Sequence, residues 1–382
     1  MSNNSDSPVV LITGANSYRA HTLLFVLLCS LVGCVGLALA KRLVADFDGH
    51  ITLVLGCRNP ARATQARDAV LLASDATPAS PSSSSSSSSS SLRGRPVVEL
   101  LQIDVASPQS ILQASREFQA RFKRLDLLYL NAGVMPVNGI NWGNFIASPT
   151  VLARRFVTGE GFLKQSNFDT ADGLAGVFAS NVLGHFMLAQ ELLPVLSKQP
   201  SAKIVWTSSD AANPRSLVLS DIQHRKGVDP YGASKAAIDL ASLGINRKLA
   251  RQSAGVNAGV TSFVTCPGLV TTQMTESFLH PIVWTLLIPI LFLLRSILHN
   301  LTTVPFNGAE ALVWLSHQSS ASLPPQTEQP IKFKSRFTIT GRRYVEFEKL
   351  KLDGSQADQM FDQLQTLATT FKQGRPASAN KA

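Results

Sequence analysis

The feature that most constrains this chain is an alternation of short apolar runs with longer stretches of helical spacing. The runs are Val9–Thr13 (VVLIT), Ile51–Leu55 (ITLVL), Val97–Ile103 (VVELLQI), Leu125–Leu130 (LDLLYL), Lys203–Thr207 (KIVWT) and Thr261–Cys266 (TSFVTC). Runs this short and apolar read as strands buried on both faces. Between them, Ala61–Ala73, Pro108–Phe122, Leu174–Leu196 and Tyr231–Arg251 carry apolar residues at helical intervals. The alternation predicts an α/β fold: a parallel sheet, doubly wound, with helices on both faces and right-handed crossovers. Ligands of such sheets bind outside the carboxyl ends of the strands.

Residues that follow the runs are therefore the functional candidates. The first run ends in Thr13-Gly14-Ala15-Asn16. A glycine there lets the backbone approach a pyrophosphate at a helix N-terminus; a tight turn without a ligand would look the same. The second run is followed by Gly56-Cys57-Arg58, with no carboxylate before Asp68. An acid at this strand end holds the ribose hydroxyls of NAD, whereas an arginine suits the 2′-phosphate of NADP. Arg58 thus favours NADP(H), the alternative being a solvated surface arginine. Asp104, after the third run, is placed to face an adenine, and Asn131-Ala132-Gly133 closes the fourth run at the crevice. Both also fit ordinary turn chemistry.

Tyr231-Gly232-Ala233-Ser234-Lys235 carries the most chemistry. A Tyr and a Lys four residues apart share one helix face. A nearby ammonium stabilises phenolate and lowers the tyrosine pKa from about 10, which suits proton exchange with a carbonyl or alcohol oxygen. Upstream, Trp206-Thr207-Ser208-Ser209 leaves the fifth run at its carboxyl end, where a serine can hydrogen-bond the same oxygen. A Tyr–Lys pair alone is common on helix surfaces. Its place after Ser-Ser, in a sheet that begins with T-G-A-N, is the order that a hydride-transfer site needs.

In these motifs the chain resembles the short-chain dehydrogenase/reductase family, which implies a Rossmann-type sheet and a nicotinamide cofactor. T-G-A-N, N-A-G, Asn181, Ser-Ser, Y-x-x-x-K and Pro267-Gly268 occur in family order. Tyr129–Pro136 (YLNAGVMP), Thr170–Leu174 (TADGL), Asn181–Phe186 (NVLGHF), Ile204–Ser209 (IVWTSS), Pro230–Lys235, Ile282–Pro289 (IVWTLLIP) and Asn307–Leu315 (NGAEALVWL) resemble one branch, the 3-keto-steroid reductases related to 17β-hydroxysteroid dehydrogenases. The resemblance implies that Tyr231 donates the proton. Lys235 would lower its pKa and bind the nicotinamide ribose. Ser209 would orient the carbonyl, with Ser208 as the alternate, and Asn181 would support Lys235 through a water. Gly14, Asn16, Ser17 and Gly36 would line the pyrophosphate turn, and Asn131, Pro267, Val270 and Thr272 the track from adenosine to nicotinamide. The implied activity is NADPH-dependent reduction of a sterol 3-ketone to a 3β-alcohol during C-4 demethylation. The alternatives are a 17β-hydroxysteroid or other lipophilic-carbonyl dehydrogenase, and a non-catalytic membrane-bound partner of other sterol-biosynthesis enzymes.

Composition bounds the partners. Of the 382 residues 45% are hydrophobic, which excludes global disorder. The net charge is +10, but no long Lys/Arg run exists and there are only four Tyr and four Trp, so no nucleic-acid groove is expected. The four cysteines form no C-x-x-C pair and the histidines no H-E-x-x-H, so neither a metal site nor a disulfide scaffold is expected. Reduced thiols fit a cytosol-facing location.

The chain reads as one domain over 1–382 with four additions. Residues 76–95, with ten consecutive serines, read as a disordered loop, and 376–382 as a flexible tail. Phe278–Leu298 forms an apolar C-terminal lobe whose uncharged Ile282–Leu294 is too short to span a bilayer. It fits an interfacial element on the cytosolic face of the endoplasmic reticulum, or a buried substrate lobe. The fourth addition is Tyr18–Gly33, which overlaps Leu23–Ala40, 18 residues without a charge that as a helix could nearly span a bilayer. Removing it restores the family spacing TGANS-CVG. As a helical extension it would carry Gly36 about 24 Å from the turn, at 1.5 Å per residue. The segment reads as a translated intron or a membrane-dipping loop, and the chain lacking it is expected to be the active, more soluble form.

Overall fold

The computed structural model describes residues 7–15, 34–76, 94–141, 143, 163–252, 259–270, 302, 304–338 and 340–374. The first half of the chain runs β1 (Val9–Thr13), α1 (Val35–Asp46), β2 (Thr52–Cys57), α2 (Pro60–Ala76), β3 (Val97–Gln102), α3 (Pro108–Arg121) and β4 (Leu127–Leu130). A two-stranded hairpin follows, β5 (Val137–Ile140) with β6 (Leu163–Gln165). Then come α4 (Gly184–Leu196), β7 (Ala202–Thr207), α5 (Pro230–Gln252), β8 (Val260–Cys266), α6 (Glu310–His317), β9 (Ile331–Phe337), β10 (Arg343–Lys349) and α7 (Gly354–Lys372).

Eight strands form one sheet in the order β10-β9-β8-β7-β4-β1-β2-β3. All six sequence-predicted strands are present and pair in parallel; only β10 runs antiparallel, against β9. Because β1 pairs with β2 on one side and β4 on the other, the strand order reverses there. The reversal opens a crevice at the carboxyl ends of β1 and β4. Alternate side chains of each strand enter opposite layers. Val10 and Ile12 pack under α1 and α2, while Leu11 faces α3, α4 and α5.

Three departures from the sequence reading bear on the site. First, the expected helix Leu174–Leu196 is interrupted: Ala179–Leu183 forms a π-turn before α4. Such bulges break the regular hydrogen-bond ladder and frequently mark functional sites. Second, β9 and β10 extend the sheet beyond the last expected strand, and α6 and α7 cover its opposite faces. Third, the helix after β1 is not extended by the inserted segment. Cys34, in extended conformation, caps α1, its Sγ accepting from the Leu37 N–H and donating to the Gly14 carbonyl, each at 3.3 Å. Residues 34–40 are thus the buried start of α1 rather than the end of a membrane-spanning helix, and Gly36 stays at the turn. No described helix is long and apolar enough to cross a membrane. Segments 18–33 and 278–298, the serine tract 77–93 and the tail 376–382 lie outside the described residues.

Candidate active site

At the crevice, the end of β1 and the start of α1 are in close contact. Gly14 has φ +72°, and a Cβ on it would lie 2.7 Å from the Ala132 Cα. A Cβ on Gly36 would lie 2.7 Å from Asn131 Nδ2 and 2.9 Å from the Gly14 carbonyl oxygen. Both positions therefore exclude any larger side chain, and a helix N-terminus faces a glycine turn. This cradle fits a dinucleotide pyrophosphate. Asn131 donates from Nδ2 to the carbonyls of Thr13 (3.1 Å) and Gly14 (3.4 Å), fixing the turn from the β4 side.

A buried histidine, unforeseen from the sequence, locks the same point. His185 Nδ1 lies 3.3 Å from the Asn181 carbonyl, which only accepts, so Nδ1 carries the proton. Nε2 then accepts from the Thr13 hydroxyl at 3.1 Å. The Thr13 oxygen in turn accepts the backbone N–H groups of Asn131 (2.9 Å) and Ala132 (3.1 Å). Burial holds the imidazole neutral, pulling its pKa down to about 3. At the neighbouring strand end the Arg58 side chain is 76% exposed, its Nη1 4.0 Å from Asp104 Oδ2. Asp104 Oδ1 accepts the Ala106 N–H at 3.0 Å. Among the described residues this 4.0 Å contact is the only ion pair of Arg58, too long to hold the guanidinium away from a phosphate.

Across the crevice, β7 and the first turns of α5 bring the reactive groups together. Lys235 Nζ is buried, donates to the Thr207 carbonyl at 2.8 Å and lies 5.4 Å from the centroid of the Tyr231 ring. The Ser209 side chain lies close enough to the Tyr231 hydroxyl to favour its ionised form. Ser208 points the other way, donating to the Lys235 carbonyl at 3.3 Å. The two serine candidates thus point to different sides: Ser209 lies toward Tyr231, and Ser208 ties β7 to α5.

The expectation that Lys235 lowers the Tyr231 pKa is not met in this arrangement. Burial pushes the phenol up to about 12, opposed by the neighbouring Ser209 side chain. The ammonium is turned onto a carbonyl, and burial pulls its own pKa down to about 8, against the field of Asp239. At neutral pH the tyrosine is therefore a protonated donor beside a lysine close to its titration point.

Asn181 sits in the π-turn, fully buried. Its Oδ1 accepts the Val134 N–H (2.8 Å), and its Nδ2 donates to the Val134 carbonyl (3.0 Å) and the Ser234 hydroxyl (2.9 Å). Ser234 donates to the Tyr231 carbonyl at 2.7 Å. The side chain thus staples the loop after β4 to α5. Gln165 of the hairpin accepts the Tyr231 backbone N–H at 2.9 Å, satisfying a donor of the first helical turn. Val270 is buried against Gly308, and Pro267 accepts the Thr302 hydroxyl at 2.8 Å; both lie just beyond β8. Asn16, Ser17 and Thr272 lie outside the described residues.

A doubly wound sheet with a glycine cradle at its switch point and a Ser–Tyr–Lys group across the crevice defines a nicotinamide-dependent oxidoreductase. The chain belongs to the short chain dehydrogenase family, whose profile matches residues 61–281. It is 42% identical to the 3-keto-steroid reductase/17-beta-hydroxysteroid dehydrogenase 7 of Rattus norvegicus over 93% of this chain and 94% of that one. The Homo sapiens protein of the same name is 40% identical over 93% and 92%. Among solved structures, an uncharacterised protein from Mycobacterium paratuberculosis shares the fold, with a TM-score of 0.55 at 19% identity, covering 96% of this chain and 97% of that one.

Proposed function

We propose that the chain is an NADPH-dependent reductase of a sterol 3-ketone, forming the 3β-alcohol during C-4 demethylation. The observation that carries the chemistry is buried Lys235, anchored on the Thr207 carbonyl at 2.8 Å and 5.4 Å from the Tyr231 ring, at the strand end that carries Ser209. The reduced nicotinamide, when bound, supplies hydride to the carbonyl carbon. The Tyr231 hydroxyl gives its proton to the carbonyl oxygen, and the Ser209 hydroxyl holds that oxygen in line. Lys235 holds the ribose side of the cofactor and, with a pKa near 8, is suited to return a proton to Tyr231. Asn181, committed to Val134 and Ser234, holds the crevice walls at a fixed spacing.

Arg58 supports NADPH over NADH, since it is exposed at the β2 end where a 2′-phosphate would lie. The steroid substrate class rests on the names of the two mammalian relatives, which match over nearly the whole chain. Attachment to the cytosolic face of the endoplasmic reticulum, among other sterol-biosynthesis enzymes, rests on the apolar stretch Phe278–Leu298 and the net charge of +10. Those relatives carry both activities in their names, so a 17-ketone is the second reading. Competition between a 4-methyl sterol 3-ketone and a 17-keto steroid, each with NADPH and with NADH, tests the assignment. The 3-ketone with NADPH is expected to give the highest kcat/KM; a higher value for the 17-ketone, or equal use of NADH, overturns it.

A further inference from the structure

Strand β9 carries Lys332, Lys334 and Arg336 at alternate positions. Their neighbours Ile331 and Phe333 enter the apolar layer beside α1 and α6. The three cations face the opposite layer, and all are largely buried. Lys332 pairs with Asp239 of α5 at 2.7 Å, both side chains about 5% exposed or less. Lys334 and Arg336 converge on Asp210, at 2.9 Å and 3.1 Å. Glu348 and Glu346 of β10 complete the row. Against the upward push of burial, hydrogen bonds from Arg336 and its charge hold the Asp210 carboxyl below its usual range.

Buried ion pairs are poor stabilisers, because desolvation of each ion offsets the attraction; apolar replacement of a whole pair is often neutral or favourable. Three adjacent buried cations are therefore a poor way merely to finish a sheet face. Their partners are not arbitrary: Asp210 follows Ser209 in the chain, and Asp239 lies one helical turn beyond Lys235. Lys332 Nζ also donates to the Ser209 carbonyl at 3.3 Å. Ser209 is otherwise held by local contacts, its Oγ accepting the Ala211 N–H at 3.1 Å and its carbonyl the Ala212 N–H at 3.2 Å.

We propose that Lys332 is a positioning residue for the reduction: anchored by Asp239, its ammonium grips the Ser209 backbone and sets where the Ser209 hydroxyl meets Tyr231. The Asp210 clamp from Lys334 and Arg336 holds the next residue of the same segment. This inference rests on the proposed ketone reduction.

The test uses the full chain with K332M, K332R and the double variant K332M/D239L, measuring Tm, NADPH affinity by fluorescence, kcat and KM. K332M alone strands a buried carboxylate and is expected to lower both Tm and kcat. The double variant removes both charges. It is expected to recover most of the Tm and the wild-type NADPH affinity while kcat stays down by about 10-fold or more, within the roughly 100-fold range that a misplacement of about 1 Å can cause. K332R, which keeps the charge, is expected to recover part of kcat. A double variant with wild-type kcat overturns the proposal, leaving the pair a packing feature. A readout without ketone separates this failure from that of the reductase reading. The chain has four tyrosines, so fluorotyrosine labelling with Y231F as the assignment control gives a resolvable 19F spectrum. The Tyr231 resonance is expected to shift in the double variant while that of Tyr129, in β4, stays; an unmoved Tyr231 resonance also overturns the proposal.

Discussion

The two halves of the sheet's carboxyl edge are built from different materials. On the β1–β2 side, the wall is mostly glycine and backbone: Gly14 and Gly36 leave room for a ligand by having no side chain, and the Asn131 side-chain amide braces the turn. On the β7–β9 side, the walls are buried polar and charged side chains, from Lys235 and Ser209 back to the Lys332–Asp239 pair. The contrast sets how each half fails. An added atom destroys the cofactor side by collision, whereas a removed charge or hydroxyl destroys the catalytic side by leaving its partner unsatisfied.

Substitutions on either side sharpen this contrast. The largest effect is expected on the catalytic side. Y231F removes the proton donor and should lower kcat by about 10²–10⁴-fold, the usual contribution of a general acid, with NADPH affinity unchanged by fluorescence titration. A variant keeping most of its kcat would remove Tyr231 from the chemistry. On the cofactor side, G36V places atoms within 3 Å of Asn131 Nδ2 and the Gly14 carbonyl. Overpacking costs about 1–3 kcal/mol, so NADPH Kd should rise roughly 10-fold or more, while kcat at saturating cofactor is largely kept.

Acidity gives a third probe. Lys235 is charged below its pKa of about 8 and neutral above it, in a setting shared with Asp239, Cys266 and Lys332. If the ammonium is the working form, kcat/KM for reduction should be flat below that value and fall as pH rises through it. K235R, whose guanidinium stays charged, should remove the fall whatever its absolute rate. A profile flat to well above pH 8 would exclude that role.

Smaller effects are expected at the rim. Arg58 is exposed, and exposed ion pairs contribute up to about 1 kcal/mol. R58E should therefore weaken NADPH roughly 5-fold and narrow its advantage over NADH, as read from the two Kd values. The smallest effect concerns Tyr18–Gly33. Gly36 already meets Gly14 in the full chain, so deletion of 18–33 should leave NADPH Kd within about 2-fold, as for changes away from a site. A large gain on deletion would show that the segment obstructs the turn. Solubility of the two forms, compared at equal concentration, tests whether the six consecutive apolar residues Leu23–Leu28 are a liability in water.

The glycine turn was legible because glycine leaves a mark in sequence: T-G-A-N after an apolar run, then Gly36 at the family spacing, pointed to the two positions where the structure leaves no room for a Cβ. The Tyr231–Lys235 pair was legible for the same reason, as a fixed spacing on one helix. The support of the catalytic half was not. Lys332 lies 93 positions from Asp239 in the chain, and IKFKSRF reads as a half-solvated strand whose charges face water. Burial of those lysines depends on β10 and α5 closing over them, which no local pattern encodes. Two signals were present in retrospect. One is the acid Asp239 within the otherwise apolar helix segment AAIDLASL; the other is strict alternation in β9. His185 was hidden likewise, since its role needs Thr13 across 172 positions. The Tyr231 acidity was misread because burial outweighs a lysine that is hydrogen-bonded elsewhere.

The central claim is that the intact chain, inserted segment included, turns over a steroid ketone. The direct measurement follows NADPH absorbance and alcohol formation together, using purified full-length protein with a 4-methyl sterol 3-ketone in detergent or vesicles. One alcohol is expected for each NADPH consumed, with both signals abolished by Y231F. NADPH binding without alcohol formation across 3-keto and 17-keto substrates would contradict it, and would assign the chain a non-catalytic role beside other enzymes.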